Sequence, residues 1–152
     1  MGLTGRCRCG GVEYTIDIEA LPAAYACHCL ICQTWSGSAF ALHALLPASL
    51  IDIRGDMSEY AYAGEDGTMS RHWSCSICAT RIANENEAVP GMIILRAGTL
   101  DRSGELLPAV HIWTSRKQPW LRIDPGVSAF EESPTPEEFG AALAEFFRGA
   151  SE

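Results

Sequence analysis

The chain has 152 residues, of which 47% are hydrophobic, and it carries a formal net charge of −8. This length can bury one sizeable core, so we predict a single domain over 1–152. The acidic charge disfavours nucleic-acid partners, because phosphate backbones repel it. The sequence contains neither an apolar run near the roughly 20 residues of a membrane helix nor a secretory signal pattern, so we expect a cytoplasmic protein without membrane contact.

Short strand patterns follow one another along most of the chain. Val12, Tyr14, Ile16 and Ile18 alternate with polar residues, which predicts a half-buried strand. Six further segments of strand-like composition are bounded by glycine, proline, aspartate or serine: 39–45, 51–54, 59–63, 70–74, 92–97 and 109–114. Many short strands with turn signals between them favour an all-β sandwich or an irregular β fold.

A helix is predicted near the C-terminal end, over about 136–148. Thr135 can cap it, Pro136 suits its first position, and the two glutamates that follow favour its N-terminus. Apolar residues then recur at helical spacing: Phe139, Leu143, Phe146 and Phe147. We interpret this segment as an amphipathic helix packed on the sheet, with a partner-binding helix as the alternative. We expect a loop over 119–134.

The seven cysteines form three groups. These are Cys7 and Cys9, then Cys27, Cys29 and Cys32, and finally Cys75 and Cys78. An odd number of cysteines cannot all form disulfides within the chain, and a reducing compartment disfavours disulfides. Zinc–thiolate bonds of about 2.3 Å require closely spaced sulfurs, which ligands one or two residues apart provide in one tight turn. The grouping therefore predicts metal binding.

The ligand numbers divide these cysteines into two sites. The first and third groups supply the four thiolates of a closed, structural zinc. The second group supplies three ligands and leaves a fourth position vacant, as a catalytic zinc requires. Soft ligands around a soft metal favour a substrate sulfur at that position. We therefore predict a closed, structural site and an open site, with Cys27, Cys29 and Cys32 as the catalytic residues of the open site.

Cysteines in such groups also have three other interpretations. Cysteines are often small buried core residues, but scattered core residues would not cluster in this way. A redox pair of Cys75 and Cys78 lacks the thioredoxin-like βαβ pattern. Iron is an alternative to zinc, because cysteine thiolates also bind iron.

A few other side chains are candidates for the open site. His28 lies between two of the cysteines of this site. It could act as a fourth ligand or as a proton shuttle. The alternating chain direction favours instead a side chain that points away from the site. Trp35 follows closely and lines the pocket or belongs to the core. His43 and His72 receive no role.

A strand-like run later in the chain contains His111 and Trp113 and leads to Arg116 and Lys117. These two cations could hold an anionic thiol such as glutathione. A solvated loop after a strand is the plainer interpretation, and we favour it.

The motifs taken together resemble a known family. They are GRCRCGGVEY at 5–14, CHCLIC at 27–32, Cys75-x-x-Cys78, AGTLD at 97–101, PAVHI at 108–112, and Trp120. Over about 5–121 this order is similar to the glutathione-dependent formaldehyde-activating enzyme family, also called centromere-protein-V-like. Ala79 departs from the family pattern, in which glycine usually follows the second knuckle.

The resemblance implies an Mss4-like β-sandwich of short antiparallel strands with zinc knuckles. It also implies two zincs per chain, a structural one held by the closed set of four cysteines and an exchangeable, catalytic one held by the open set of three. It also implies a carbon–sulfur lyase that acts on glutathione and formaldehyde to make S-hydroxymethylglutathione. The alternatives are a non-catalytic zinc module for protein interaction and a thiol or metal sensor. Expected partners are therefore a small thiol and an aldehyde, with self-association left open.

Overall fold

The computed structural model describes residues 2–150, which fall into two compact units. Unit 1 comprises 2–22 and 44–106, and unit 2 comprises 23–43 and 107–150. The expected single domain over 1–152 stays a prediction. No helix within 2–150 is long and apolar enough to cross a membrane.

Unit 1 contains a three-stranded antiparallel sheet of order β1-β2-β5. Its strands are β1 (Leu3–Arg6), β2 (Val12–Ile16) and β5 (Ile51–Gly55). The alternation in β2 is confirmed, since its apolar residues are buried and its polar residues are exposed. The strand ends at Ile16 rather than Ile18 because Asp17 pairs its backbone with Leu50, outside the ladder.

A second set of antiparallel strands in unit 1 has the order β9-β8-β7-β6. These strands are β6 (Met57–Ala63), β7 (Met69–Cys75), β8 (Arg81–Asn86) and β9 (Met92–Arg96). Three of them match predicted segments. Strand β8 was not predicted because its buried residues run consecutively and so show no period of two.

Unit 2 is built on parallel strands. Strand β10 (Pro108–Ile112) pairs in parallel with both β3 (Ala24–Cys27) and β11 (Ser128–Ala129). Strand β4 (Ala41–Pro47) continues from this unit into unit 1. The expectation of antiparallel strands is wrong for β3, β10 and β11, which pair in parallel. Parallel pairing needs a long connection between the strands, and the connections here are long, whereas a short hairpin joins only antiparallel strands. Strand β11 also interrupts the predicted loop.

Two helices complete unit 2. Helix α2 (Pro136–Gly149) begins as predicted, with the Thr135 side chain accepting a hydrogen bond from the Glu138 amide. Helix α1 (Leu30–Ser36) was not predicted, because it is only seven residues long and lies within the cysteine motif. The chain is thus mostly β with a C-terminal helix and cysteine clusters, as predicted.

Candidate metal centres

The four cysteines of the closed set meet in unit 1. The Sγ atoms of Cys7, Cys9, Cys75 and Cys78 all lie within 4.8 Å of one another. The Cys7–Cys9 distance is 3.5 Å and the Cys9–Cys75 distance is 3.8 Å. A tetrahedral zinc with bonds of about 2.3 Å separates its sulfurs by about 3.8 Å. This cluster could therefore hold a metal ion with little rearrangement.

Hydrogen-bond donors surround this cluster. Backbone amides donate to three of its sulfurs: Val12 to Cys7 at 3.2 Å, Gly11 to Cys9 at 3.3 Å and Ile77 to Cys75 at 3.4 Å. The Thr80 hydroxyl lies 3.1 Å from the Cys78 sulfur and lowers the pKa of that thiol to about 5. Each donor stabilises thiolate charge, which a metal ligand needs.

Two tight turns present these sulfurs. Gly10 follows the first pair at φ +80°, and its amide donates to the Cys7 carbonyl. Ala79 follows the second pair at φ +61°, and its amide donates to the Cys75 carbonyl at 2.9 Å. The left-handed conformation strains any residue with a Cβ, so Ala79 costs on the order of 1–2 kcal/mol at a position that glycine would occupy without strain.

The three cysteines of the open set meet in unit 2. Cys27 ends β3, Cys29 caps the N-terminus of α1, and Cys32 lies in its first turn. Their sulfurs all lie within 4.8 Å of one another, and the Cys32 amide donates to the Cys29 sulfur at 3.3 Å. The cluster could hold a metal ion through three protein ligands.

The thiols of this cluster differ in acidity. Hydrogen bonds from Cys27 and Cys32, with help from the Cys32 and Ile31 amides, lower the pKa of Cys29 to about 2. The pKa of Cys27 is raised by the hydrogen bonds that this thiol makes with Cys29 and Cys32, and also by its burial. These contacts favour the thiolate form of Cys29 and the protonated form of Cys27.

Sequence reasoning missed His43. The structure places its Nε2 atom 3.7 Å from the Cys32 sulfur, on a buried position of β4. The cluster of sulfurs within 4.8 Å of one another does not include His43. The only available signal was a histidine on the buried face of the strand that follows the open motif. His72, by contrast, lies in unit 1, where its Nε2 contacts the Ser70 hydroxyl at 2.9 Å.

His28 does not belong to the group of ligand atoms that lie close to one another, and its ring contacts His111 instead. Its Nε2 lies 2.8 Å from Nδ1 of His111, and its side chain is fully buried. Burial, followed by the charges of His111 and Lys117, lowers the pKa of His28 to about 4. Burial also lowers the pKa of His111. Burial thus favours the neutral form of both rings.

The predicted cations lie on a segment tied to α1. The Gln33 side-chain amide donates to the backbone carbonyls of His28 at 2.7 Å and of Arg116 at 2.8 Å. Lys117 Nζ donates to the Leu121 carbonyl at 2.7 Å, so that cation is partly engaged within the protein. The Arg116 side chain is exposed, and Trp35 is half-buried.

Comparison with known proteins identifies the family. A sequence model of the glutathione-dependent formaldehyde-activating enzyme family matches residues 2–116, which include all seven cysteines. The chain belongs to this family. A protein of Halomonas elongata named "Putative glutathione-dependent formaldehyde-activating enzyme" is 28% identical over 131 residues, or 82% of each chain.

One solved structure is also similar. A crystal structure of a Rhodobacter sphaeroides protein matches with a TM-score of 0.54 and 21% identity, and the match covers 70% of this chain and 98% of that chain. At this identity the likeness shows the fold alone. Helix α2 lies beyond the part of the chain that the family model matches.

Proposed function

We propose that this family member is a zinc-dependent enzyme that forms and breaks the carbon–sulfur bond between a glutathione-like thiol and formaldehyde. One observation carries the proposal: a cluster of three sulfurs lies in a chain whose other four cysteines already make a complete set. Four ligands are typical of structural zinc, and three ligands with a vacant position are typical of catalytic zinc. Membership of the family supports the same substrates.

We assign a zinc to each cluster. Cys7, Cys9, Cys75 and Cys78 would hold the structural ion, and Cys27, Cys29 and Cys32 would hold the exchangeable one. When bound at the open cluster, zinc would supply a vacant position that favours the thiolate form of a substrate thiol. Soft sulfur ligands select zinc over magnesium or calcium at such a site.

The reaction needs no redox partner. The thiol loses its proton to solvent, and its sulfur forms a bond to the carbonyl carbon as the carbon–oxygen π bond breaks. The electron pair of that π bond moves to the oxygen, which gains a proton from solvent. The product is S-hydroxymethylglutathione, and the reverse step breaks the same bond.

Recognition of an anionic thiol is assigned to Arg116. Its guanidinium is exposed, and its backbone is held by Gln33 on the helix that carries Cys32. A carboxylate of the substrate could form a charge-assisted hydrogen bond with this group. We expect Arg116→Gln to raise KM for glutathione and to leave kcat nearly unchanged, since the guanidinium would bind the ground state and transition state alike.

The activity is tested by exchange spectroscopy. Glutathione and isotopically labelled formaldehyde are mixed to equilibrium, and NMR measures the rate of exchange between free formaldehyde and the adduct. The zinc-loaded protein should accelerate exchange, and Cys29→Ser should abolish the acceleration while keeping the zinc of the closed cluster. If protein with two zincs per chain gives the uncatalysed rate, the proposed reaction is wrong.

The metal assignment is tested separately by elemental analysis before and after dialysis against millimolar glutathione. We expect two zincs per chain that fall toward one, since a thiol can compete only at the cluster with a vacant position. Two zincs that resist removal would instead favour a non-catalytic interaction module. Iron in place of zinc would contradict the assignment of the metal.

A further inference from the structure

His43 contacts Cys32 but is not placed as a ligand of a metal in the open cluster. The Nε2 atom lies 3.7 Å from that sulfur, within the range of an N–H···S hydrogen bond. The group of sulfurs that lie within 4.8 Å of one another contains Cys27, Cys29 and Cys32 but not His43. The histidine therefore contacts one ligand from outside the cluster and does not close it as a fourth ligand.

The chemistry of the pair fixes the direction of the hydrogen bond. A metal-ligating Cys32 is a thiolate, which only accepts hydrogen bonds, so the Nε2 atom must carry the proton and donate it. Donors of this kind orient the ligand and stabilise its charge. In the closed cluster the corresponding donors are backbone amides and the Thr80 hydroxyl. At Cys32 a side chain does this.

The histidine ring is held by aromatic neighbours within unit 2. The Tyr25 ring packs against it with a centroid distance of 5.2 Å and a tilt of 41°. Phe139 of α2 packs edge-on against Tyr25, with a centroid distance of 5.2 Å and an interplanar angle of 88°. A row of rings thus runs from the C-terminal helix to the open cluster. Rigid packing of this kind limits the orientations open to the imidazole.

We propose that His43 is a positioning residue of the open site, which donates a hydrogen bond to the Cys32 thiolate and is held in place by Tyr25 and the Phe139 side chain of α2. Helix α2 therefore supports the exchangeable metal, although it lies outside the segment that the family model matches. This inference rests on the proposed function, since it takes the open cluster to hold that metal.

The test measures zinc affinity without thiol or aldehyde, so its outcome is separate from that of the activity assay. Zinc-loaded protein is titrated with a chromogenic chelator, and the zinc of the closed cluster serves as the internal control. His43→Leu removes the donor and should raise Kd at the open site by roughly 10–100-fold. His43→Gln keeps an N–H group and should retain most of the affinity. An unchanged Kd in His43→Leu, or an equal loss in both variants, would overturn the proposal.

Cobalt substitution distinguishes a hydrogen bond from ligation. Loss of the hydrogen bond raises the energy of the sulfur lone pairs, so the thiolate-to-cobalt band should move to lower energy in His43→Leu but not in His43→Gln. The ligand-field bands of both variants should keep the wild-type pattern. A changed ligand-field pattern in His43→Leu would show that His43 is itself a ligand and would refute the positioning role.

The role of α2 is tested by a double-mutant cycle. Phe139→Ala should raise Kd at the open site by less than His43→Leu does, and it should add little in the double variant, because both changes act through the same hydrogen bond. Retention of the closed-site zinc and of the circular dichroism spectrum shows that Phe139→Ala is folded. Fully additive effects would contradict the coupling, and an unfolded Phe139→Ala would be replaced by Phe139→Leu.

Discussion

Ala79 is the residue at which a single substitution should stabilise this protein. It lies at φ +61° in the turn that presents Cys75 and Cys78, and its amide closes that turn on the Cys75 carbonyl. Its side chain is exposed, so removing the methyl group loses no packing. Glycine would keep the amide hydrogen bond and relieve the backbone strain.

The magnitude follows from two opposing terms. Relief of the left-handed conformation contributes about 1–2 kcal/mol. The greater freedom of glycine in the unfolded chain removes about 0.5–1 kcal/mol of this gain. The net stabilisation expected for Ala79→Gly therefore lies between about 0 and 1.5 kcal/mol, with a central value of about 0.75 kcal/mol that raises Tm by about 2–3 °C in a chain of this size.

The assay is denaturant unfolding at a fixed excess of zinc, so that metal occupancy is the same in every sample. Ala88→Gly is the matched control, because Ala88 is also exposed and also lies in a turn but has no positive φ. It should lose about 0.5–1 kcal/mol through the unfolded chain alone. If Ala79→Gly were no more stable than Ala88→Gly, the strain argument would be refuted.

Three further predictions concern unit 1. Burial raises the pKa of Tyr14 to about 12, so the folded state keeps the phenol proton while the unfolded chain loses it above about pH 10. The free energy of unfolding should therefore fall by up to about 3 kcal/mol between pH 10 and 12. Tyr14→Phe should lack this loss when unfolding is measured as a function of pH. Thr80→Val removes the hydroxyl beside Cys78 and should weaken zinc binding at the closed cluster by roughly 10-fold or more, as chelator competition would show, whereas Thr80→Ser should not. Gly5→Ala places a Cβ against the Tyr14 hydroxyl and 2.6 Å from the Thr99 carbonyl, so it should cost about 1–3 kcal/mol in denaturant unfolding; an unchanged midpoint would show that this part of the sheet can yield.

The strand pattern and the C-terminal helix could be predicted because their signals are local. The alternation of Val12, Tyr14 and Ile16 depends on one buried face, and the Thr135 cap is set by residues within one helical turn. Strand β8 and the pairing of β3 with β10 could not be predicted in this way. Consecutive burial hides the period of two, and parallel pairing joins segments about eighty residues apart.

The division of the cysteines was likewise accessible from the sequence, because each group must bring its sulfurs together through a turn of one to three residues. The turn at Gly10 is local in the same way. The strained backbone at Ala79 could also be anticipated, because alanine stands there at a position where the family usually has glycine. That the first and third groups lie beside each other follows from ligand number, although 65 residues separate Cys9 from Cys75.

The surroundings of the sulfurs were decided by the tertiary structure alone. No spacing rule relates His43 to Cys32, or Phe139 to Tyr25, because these contacts depend on where strands and helices pack and not on a turn. The sequence by itself determined which atoms could bind a metal, since a short motif constrains its own geometry. Only the folded chain decided which side chains orient those atoms, since such contacts join residues that are distant in sequence.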